Sequence, residues 1–167
     1  MEEGKWYTFA FQSTNGEGGS QTASFYRKGP WTSDAEKAEC EFGAHIMHNI
    51  QELIQNSEIV FIAIKPQFLE EILDELKSSW SEEKVLASIV AGKSLAFWQD
   101  VLGTNAQIAR IMPNTPAMVQ AGMNTVCFSA SLKDVNAIKR LLGYTGRVME
   151  LRESVMDAAM GVAGCGP

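Results

Sequence analysis

A chain of 167 residues, 46% hydrophobic and 20% charged, is long enough for one buried core and too apolar to stay unfolded. Its formal net charge is −6 and its lysines and arginines form no cluster, which excludes nucleic-acid binding through a basic patch. Three widely spaced cysteines, Cys40, Cys127 and Cys165, argue against a disulfide scaffold and suit a reducing cytoplasm.

In chain order, the opening Met1-Glu2-Glu3-Gly4-Lys5 lacks the apolar stretch of a signal peptide. Residues 6–11 can form a short strand from their aromatics. Between residues 13 and 33 the chain carries Gly16, Gly18, Gly19, Gly29 and Pro30 among Ser, Thr, Gln and Asn, a composition that predicts loop. The first forty residues thus stand apart from the rest.

Regular structure is predicted beyond them. Ile59-Val60-Phe61-Ile62-Ala63-Ile64 reads as a strand buried on both faces, and it is far shorter than the roughly 20 residues that cross a bilayer. Pro66 suits the first turn of a helix, along which Phe68, Ile72, Leu73, Leu76 and Trp80 recur at helical spacing. Residues 85–90 make a second strand, closed by Ala91-Gly92. Ser94 caps the next helix, and residues 107–112 make a third strand. That strand runs into Met112-Pro113-Asn114-Thr115-Pro116, a rigid loop by virtue of its two prolines. A fourth strand covers residues 125–128, Ser131 and Asp134 can both cap the helix after it, residues 147–151 make a fifth strand, and a last helix starts near Ser154. Strands alternating with helices of about ten residues predict βαβ units, a parallel sheet and the α/β class.

Ligands of an open parallel sheet bind beyond the carboxyl ends of its strands. Three segments fall there: Ala63-Ile64-Lys65-Pro66-Gln67, Ser88-Ile89-Val90-Ala91-Gly92 and Met112-Pro113-Asn114-Thr115-Pro116. Small Ala91 and Gly92 let a flat ligand approach the backbone. Together with Asp157-Ala158-Ala159 and Gly164-Cys165-Gly166-Pro167, these segments resemble, in order and spacing, the successive motifs of the pyrroline-5-carboxylate reductases, from about Phe42 onward. The resemblance implies a Rossmann-like parallel sheet with helices on both faces, incomplete at its N-terminal side. It also implies NADPH or NADH as cofactor, 1-pyrroline-5-carboxylate as small-molecule substrate, proline biosynthesis as the setting, and a homo-oligomer. Position by position, it implies cofactor contacts at Asn49, Ala63, Ile64, Lys65, Pro66, Ala91 and Gly92, with Met112, Pro113, Asn114 and Thr115 beside the nicotinamide and substrate.

Read without the resemblance, Lys65 is a solvated residue between strand and helix, Asn49 a helix cap before Ile50, Leu53 and Ile54, and Asn114 and Thr115 braces of a proline-rich turn. His45 and His48 have no partners in a ligand pattern, so no metal is expected, and Cys165 has no companion histidine to make it a nucleophile.

Two departures from the family stand out. Its Gly-x-Gly-x-x-Gly turn after a first strand has only Gly16-Glu17-Gly18-Gly19 as a counterpart, which follows Ser13-Thr14-Asn15 and precedes no apolar helix. The family's Ser-Gly-Ser-Gly-Pro is here Ala163-Gly164-Cys165-Gly166-Pro167, and the family continues beyond it into a helical dimerisation domain that orients the substrate. The expected organisation is therefore an unmatched segment 1–40, a nucleotide-binding domain 41–152, and at 153–167 the start of a helix leading to that further domain. Catalytic residues within this chain stay unassigned. Two other functions are open: a related hydroxy-acid dehydrogenase, and a non-catalytic binding domain that kept the fold. If residues 1–40 leave one side of the strand at 59–64 bare, association or poor solubility is expected.

Overall fold

In the computed structural model, which describes residues 7–12, 22–26, 45–47 and 49–163, the described strands form one sheet. They are β1 (Tyr7–Gln12), β2 (Thr22–Tyr26), β3 (His45–Met47), β4 (Ile59–Ala63), β5 (Val85–Ser88), β6 (Gln107–Met112), β7 (Gly122–Phe128) and β8 (Gly146–Glu150). Their order across the sheet is β3-β2-β1-β4-β5-β6-β7-β8. The helices are α1 (Ile50–Gln55), α2 (Glu70–Ser79), α3 (Leu95–Leu102), α4 (Val135–Gly143) and α5 (Glu153–Ala163), with 3-10 turns at Pro66–Phe68 and Thr115–Val119.

Strand β4 shows why the sheet is covered on both faces. Val60 and Ile62, with Ile64 beyond the strand end, pack into a core with Leu53 of α1, Leu76 of α2 and Trp98 of α3. Ile59 and Phe61 point the other way and join Ile138 and Leu142 of α4. Each such side chain, once buried, stabilises the fold by about 1.5–3 kcal/mol. Sequence capping works as expected at two helices: Ser94 Oγ accepts from Phe97 N at 3.0 Å, and Asp134 Oδ1 accepts from Asn136 N and Ala137 N. Ser131 caps nothing; its hydroxyl donates to the Ala106 carbonyl and tie the following loop to the start of β6.

The sheet is mixed rather than wholly parallel. β4, β5 and β6 run parallel, as do β7 and β8, each pair joined through a helix. β6 and β7 are antiparallel. Only residues 113–121 separate them, and a parallel return needs a crossover of a dozen residues or more. β2 falls inside the segment whose composition predicted loop. β1 lies between β2 and β4, antiparallel to both. The edge of β4 that could have been bare is therefore paired along its length, from Tyr7 opposite Ala63 to Phe11 opposite Ile59.

Gly122 and Gly146 face each other where β7 and β8 begin. Gly146 has φ +144, and a Cβ there would overlap the Gly122 backbone. Gly146→Ala is expected to cost more than about 2 kcal/mol in urea unfolding. Gly143→Ala, whose Cβ meets open space, should be neutral or stabilising by up to about 1 kcal/mol. Equal midpoints for the two variants would contradict this account of the β7–β8 start.

Candidate functional site

One row of paired residues crosses the sheet through Met47, Tyr26, Thr8, Ile62, Ser88, Arg110 and Cys127. β3, β4, β5 and β6 all run from that row toward the same edge. Their following segments therefore emerge side by side: Asn49 after β3, residues 63–66 after β4, Ala91 and Gly92 after β5, and residues 112–115 after β6. Lys65, Ala91 and Pro113 each stand three residues past the row, and Asn114 stands one further. Neighbouring strands lie about 4.8 Å apart, so Lys65, Ala91 and Asn114 share one rim.

Each rim residue is set by local chemistry. Ile64 is buried in the core, which leaves only its backbone for the rim, and Ala63 beside it is half-buried. Lys65 is exposed, in extended conformation, and Pro66 after it opens the first 3-10 turn. Ser88 is buried and its Oγ accepts from Val90 N at 3.3 Å, which shapes the chain entering Ala91 and Gly92. Gly92 has φ +74, and a Cβ on it would meet nothing within 4 Å; it is conformationally required and has open space beside it. Both Ala91 and Thr115 are exposed, while Met112 and Pro113 are half-buried.

The two asparagines have structural bonds. Asn49 Oδ1 accepts from Glu52 N at 2.9 Å, so Asn49 caps α1. It lies on the same edge as Lys65 but three strand spacings away, about 14 Å. Asn114 Oδ1 accepts from Met123 N at 2.8 Å and its Nδ2 donates to the Ala163 carbonyl at 3.0 Å. It braces the loop against β7 and the end of α5, and one amide hydrogen remains for a further partner.

A group that the sequence reading passed over holds α5 to this rim. Arg110 sits on the face of β6 shared with Ile108 and bonds Glu153 at 3.2 Å and Asp157 at 2.5 Å. Glu153 also accepts from Leu95 N at 2.7 Å, at the first turn of α3. Burial works against the Arg110 charge, but the bonds and charges of Asp157 and Glu153 outweigh it and hold the guanidinium more firmly protonated. The signal was present: a lone charge inside an otherwise buried strand needs a partner. Between α5 and the strand ends Val90, Ala91, Gly92, Met112, Met156 and Met160 enclose a cavity of about 10 Å³, room for little more than one water. Cys127, paired opposite Arg110, is buried.

Among the described residues no group of three or more His, Cys, Asp or Glu could hold a metal ion, and no helix is long and apolar enough to cross a membrane. His48, Cys165 and Gly16, Gly18 and Gly19 lie outside the described residues.

This strand order, with loops of small residues gathered at the carboxyl edge of β4, β5 and β6, defines a Rossmann-like α/β domain. The family described as "NADP oxidoreductase coenzyme F420-dependent" matches residues 23–92; the match begins at β2, well ahead of Phe42. Pyrroline-5-carboxylate reductase of Arabidopsis thaliana is 34% identical over 128 residues, covering 75% of this chain and 46% of that protein. The enzyme of that name from Escherichia coli is 33% identical over 129 residues, covering 76% and 48%. A crystal structure of Plasmodium falciparum pyrroline carboxylate reductase with NADP bound superposes with a TM-score of 0.73 at 26% identity, covering 86% of this chain and 52% of that one. The chain belongs to the pyrroline-5-carboxylate reductase family, and it spans about half the length of the relatives it matches.

Two outcomes are expected from the Arg110 group. Arg110→Ala should raise amide hydrogen exchange across α5 at least tenfold while α1 to α3 keep their protection; uniform change would show that Arg110 does not hold α5. For Cys127, burial first and the Glu153 charge second, offset in part by Arg110, raise the thiol pKa from 9.0 to about 11. Below pH 9 the thiol keeps its proton folded or unfolded, and its contribution to stability is complete. Between pH 9 and 11 only the unfolded state ionises, so stability should fall by up to about 2–3 kcal/mol. Cys127→Ala should flatten that limb of the urea-midpoint profile.

Proposed function

We propose that this chain is the nucleotide-binding part of an NAD(P)H-dependent reductase that converts 1-pyrroline-5-carboxylate to L-proline. The observation that carries the reading is the convergence of Lys65, Ala91 and Asn114, which arise from three separate motifs, on one sheet edge. The relatives' printed names and the NADP in the Plasmodium structure support it.

The residues fit the nicotinamide end of such a cofactor. Ala91 and Gly92 offer exposed backbone with open space beside it, Lys65 offers a cation to phosphate, and Asn114 has a second amide hydrogen besides the one given to Ala163. When bound, the cofactor supplies a hydride to the imine carbon, and the ring nitrogen takes a proton. The part of this chain is to place the ring and keep the loop rigid: Asn114 fixes residues 113–116 against Met123 and Ala163. Residues that orient the substrate are not assigned within this chain. Val155 and Val162 on α5 are exposed, and a covering domain would bury them.

A second reading is favoured by one observation, the reversed direction of β1: a binding domain that kept the fold without turnover. An assay separates the two. Proline formation from pyrroline-5-carboxylate with matching NADPH oxidation supports reduction, whereas tight nucleotide binding without turnover supports the second. Lys65→Ala should weaken NADPH binding by about tenfold, the worth of one charge-assisted contact at an exposed site, with an unchanged unfolding midpoint. Unaltered affinity would remove Lys65 from the site.

A further inference from the structure

The Ala91-Gly92 turn is pinned at both of its ends, and the second pin comes from a distant part of the chain. At its start, Ile89 N donates to the Ile62 carbonyl at 3.1 Å and Val90 N to Ser88 Oγ at 3.3 Å. At its finish, Leu95 N donates to Glu153 Oε1 at 2.7 Å, across a separation of 58 residues. Ala91 and Gly92 lie between the two pins, exposed, with Gly92 at φ +74.

The second pin goes beyond ordinary capping. The first N–H groups of a helix have no partner within it and are met by a capping side chain or by water. Ser94 already caps α3 through Phe97 N. Leu95 N takes a carboxylate from another helix, at the length of a charge-assisted bond. That carboxylate is itself held: Arg110 Nη1 donates to the same Oε1 at 3.2 Å, and Arg110 is paired level with Ser88 on the neighbouring strand. A ring of contacts therefore runs from Ser88 to Arg110, through Glu153 to Leu95, with the turn as its remaining arc. α5 lies along that arc, where Met156, Asp157 and Met160 enclose the cavity of about 10 Å³ together with Val90, Ala91 and Gly92.

We infer that Glu153 is a positioning residue for the nicotinamide: acting through Leu95 N, it holds the Ala91-Gly92 turn in the conformation that receives the ring. This rests on the nicotinamide reading of the rim given above. Loss of the bond leaves the turn fixed at one end only. A turn that then spends about nine-tenths of its time in other conformations binds its ligand about tenfold more weakly.

The test is titration of NADPH into the full chain, followed by the fluorescence of the nicotinamide, with two variants that remove the bond from opposite sides. Glu153→Ala removes the acceptor. Leu95→Pro removes the donor and leaves Arg110 and Glu153 in place. Proline suits the first position of a helix, and Ser94, at φ -79 and ψ 166, has the extended backbone that a following proline requires. NADPH affinity should fall about tenfold in Glu153→Ala, and by a similar factor in Leu95→Pro relative to Leu95→Ala, which keeps the donor. Glu153→Gln, whose amide oxygen can still accept from Leu95 N, should bind within about threefold of the unaltered chain. Asp157→Ala should do the same, since it takes a partner from Arg110 but none from Leu95. Equal weakening in Asp157→Ala and Glu153→Ala would overturn the inference, by making the docking of α5 as a whole responsible. Equal affinity in Leu95→Pro and Leu95→Ala would overturn it as well and leave the nicotinamide reading standing. Absence of NADPH binding by the unaltered chain would remove that reading, and this inference with it.

Discussion

The level pairing of Ile62, Ser88 and Arg110 is the constraint from which the rim hangs. It is enforced from both sides of the sheet. Alternate residues of β4, β5 and β6 fill two separate cores, so Val60, Leu86 and Ile108 face α1 to α3 while Ala87, Ala109 and Ile111 face α4. A one-residue slip of β6 would exchange those sets. It would also carry Arg110 away from Glu153 and Asp157 and into the apolar layer beneath α4, leaving a buried charge without a partner. The ion pair therefore secures the register that holds Ala91 level with Lys65 and Pro113. Stability and site geometry meet in the same row.

β1 illustrates the opposite case, where stability and function part. The gap between β2 and β4 asks only for a strand with ladder hydrogen bonds, and an antiparallel one meets that need at least as well as a parallel one. Five paired positions on each side of β1 close the two edges. Nothing in that closure depends on a phosphate turn. A chain can thus keep the sheet whole with this strand running in the opposite direction, because sheet pairing depends on backbone alone.

What the sequence disclosed follows the same division. Runs such as residues 59–64 announce themselves, since burial on both faces leaves no polar residue to confuse the period. The caps at Ser94 and Asp134 are equally plain because capping is local. β2 was hidden: Thr22-Ala23-Ser24-Phe25-Tyr26 offers little alternation and sits among glycines and serines, and its pairing partners are what make it a strand. Strand direction has no signature in periodicity at all, so the reversal of β1 could not be read. The β6–β7 reversal could have been, from the shortness of residues 113–121. That Lys65, Ala91 and Asn114 share one edge was legible from the strands that precede them. Arg110 and Glu153 were missed because they are 43 residues apart and meet only once the helix after β8 returns across the sheet. Asn49 and Asn114 show how a capping or bracing role and a ligand role look alike in sequence, since the same amide serves both.

The remaining step concerns which rim residues are free to serve a ligand. Buried polar groups of this region, Ser88 and Thr125 among them, are committed to backbone partners, and Glu153 serves both Arg110 and the α3 N-terminus, where a negative charge is favoured by the helix dipole. Ala91, Gly92, Lys65 and Thr115 are exposed and contribute little to the core. Exposed positions away from packing change stability by only about 0.5 kcal/mol when substituted, which applies to Ala91, Lys65 and Thr115, whereas Gly92 is also required by its φ of +74. A fixed layer beneath, locked by register and by Arg110, thus carries a surface layer of exposed residues that packing leaves free.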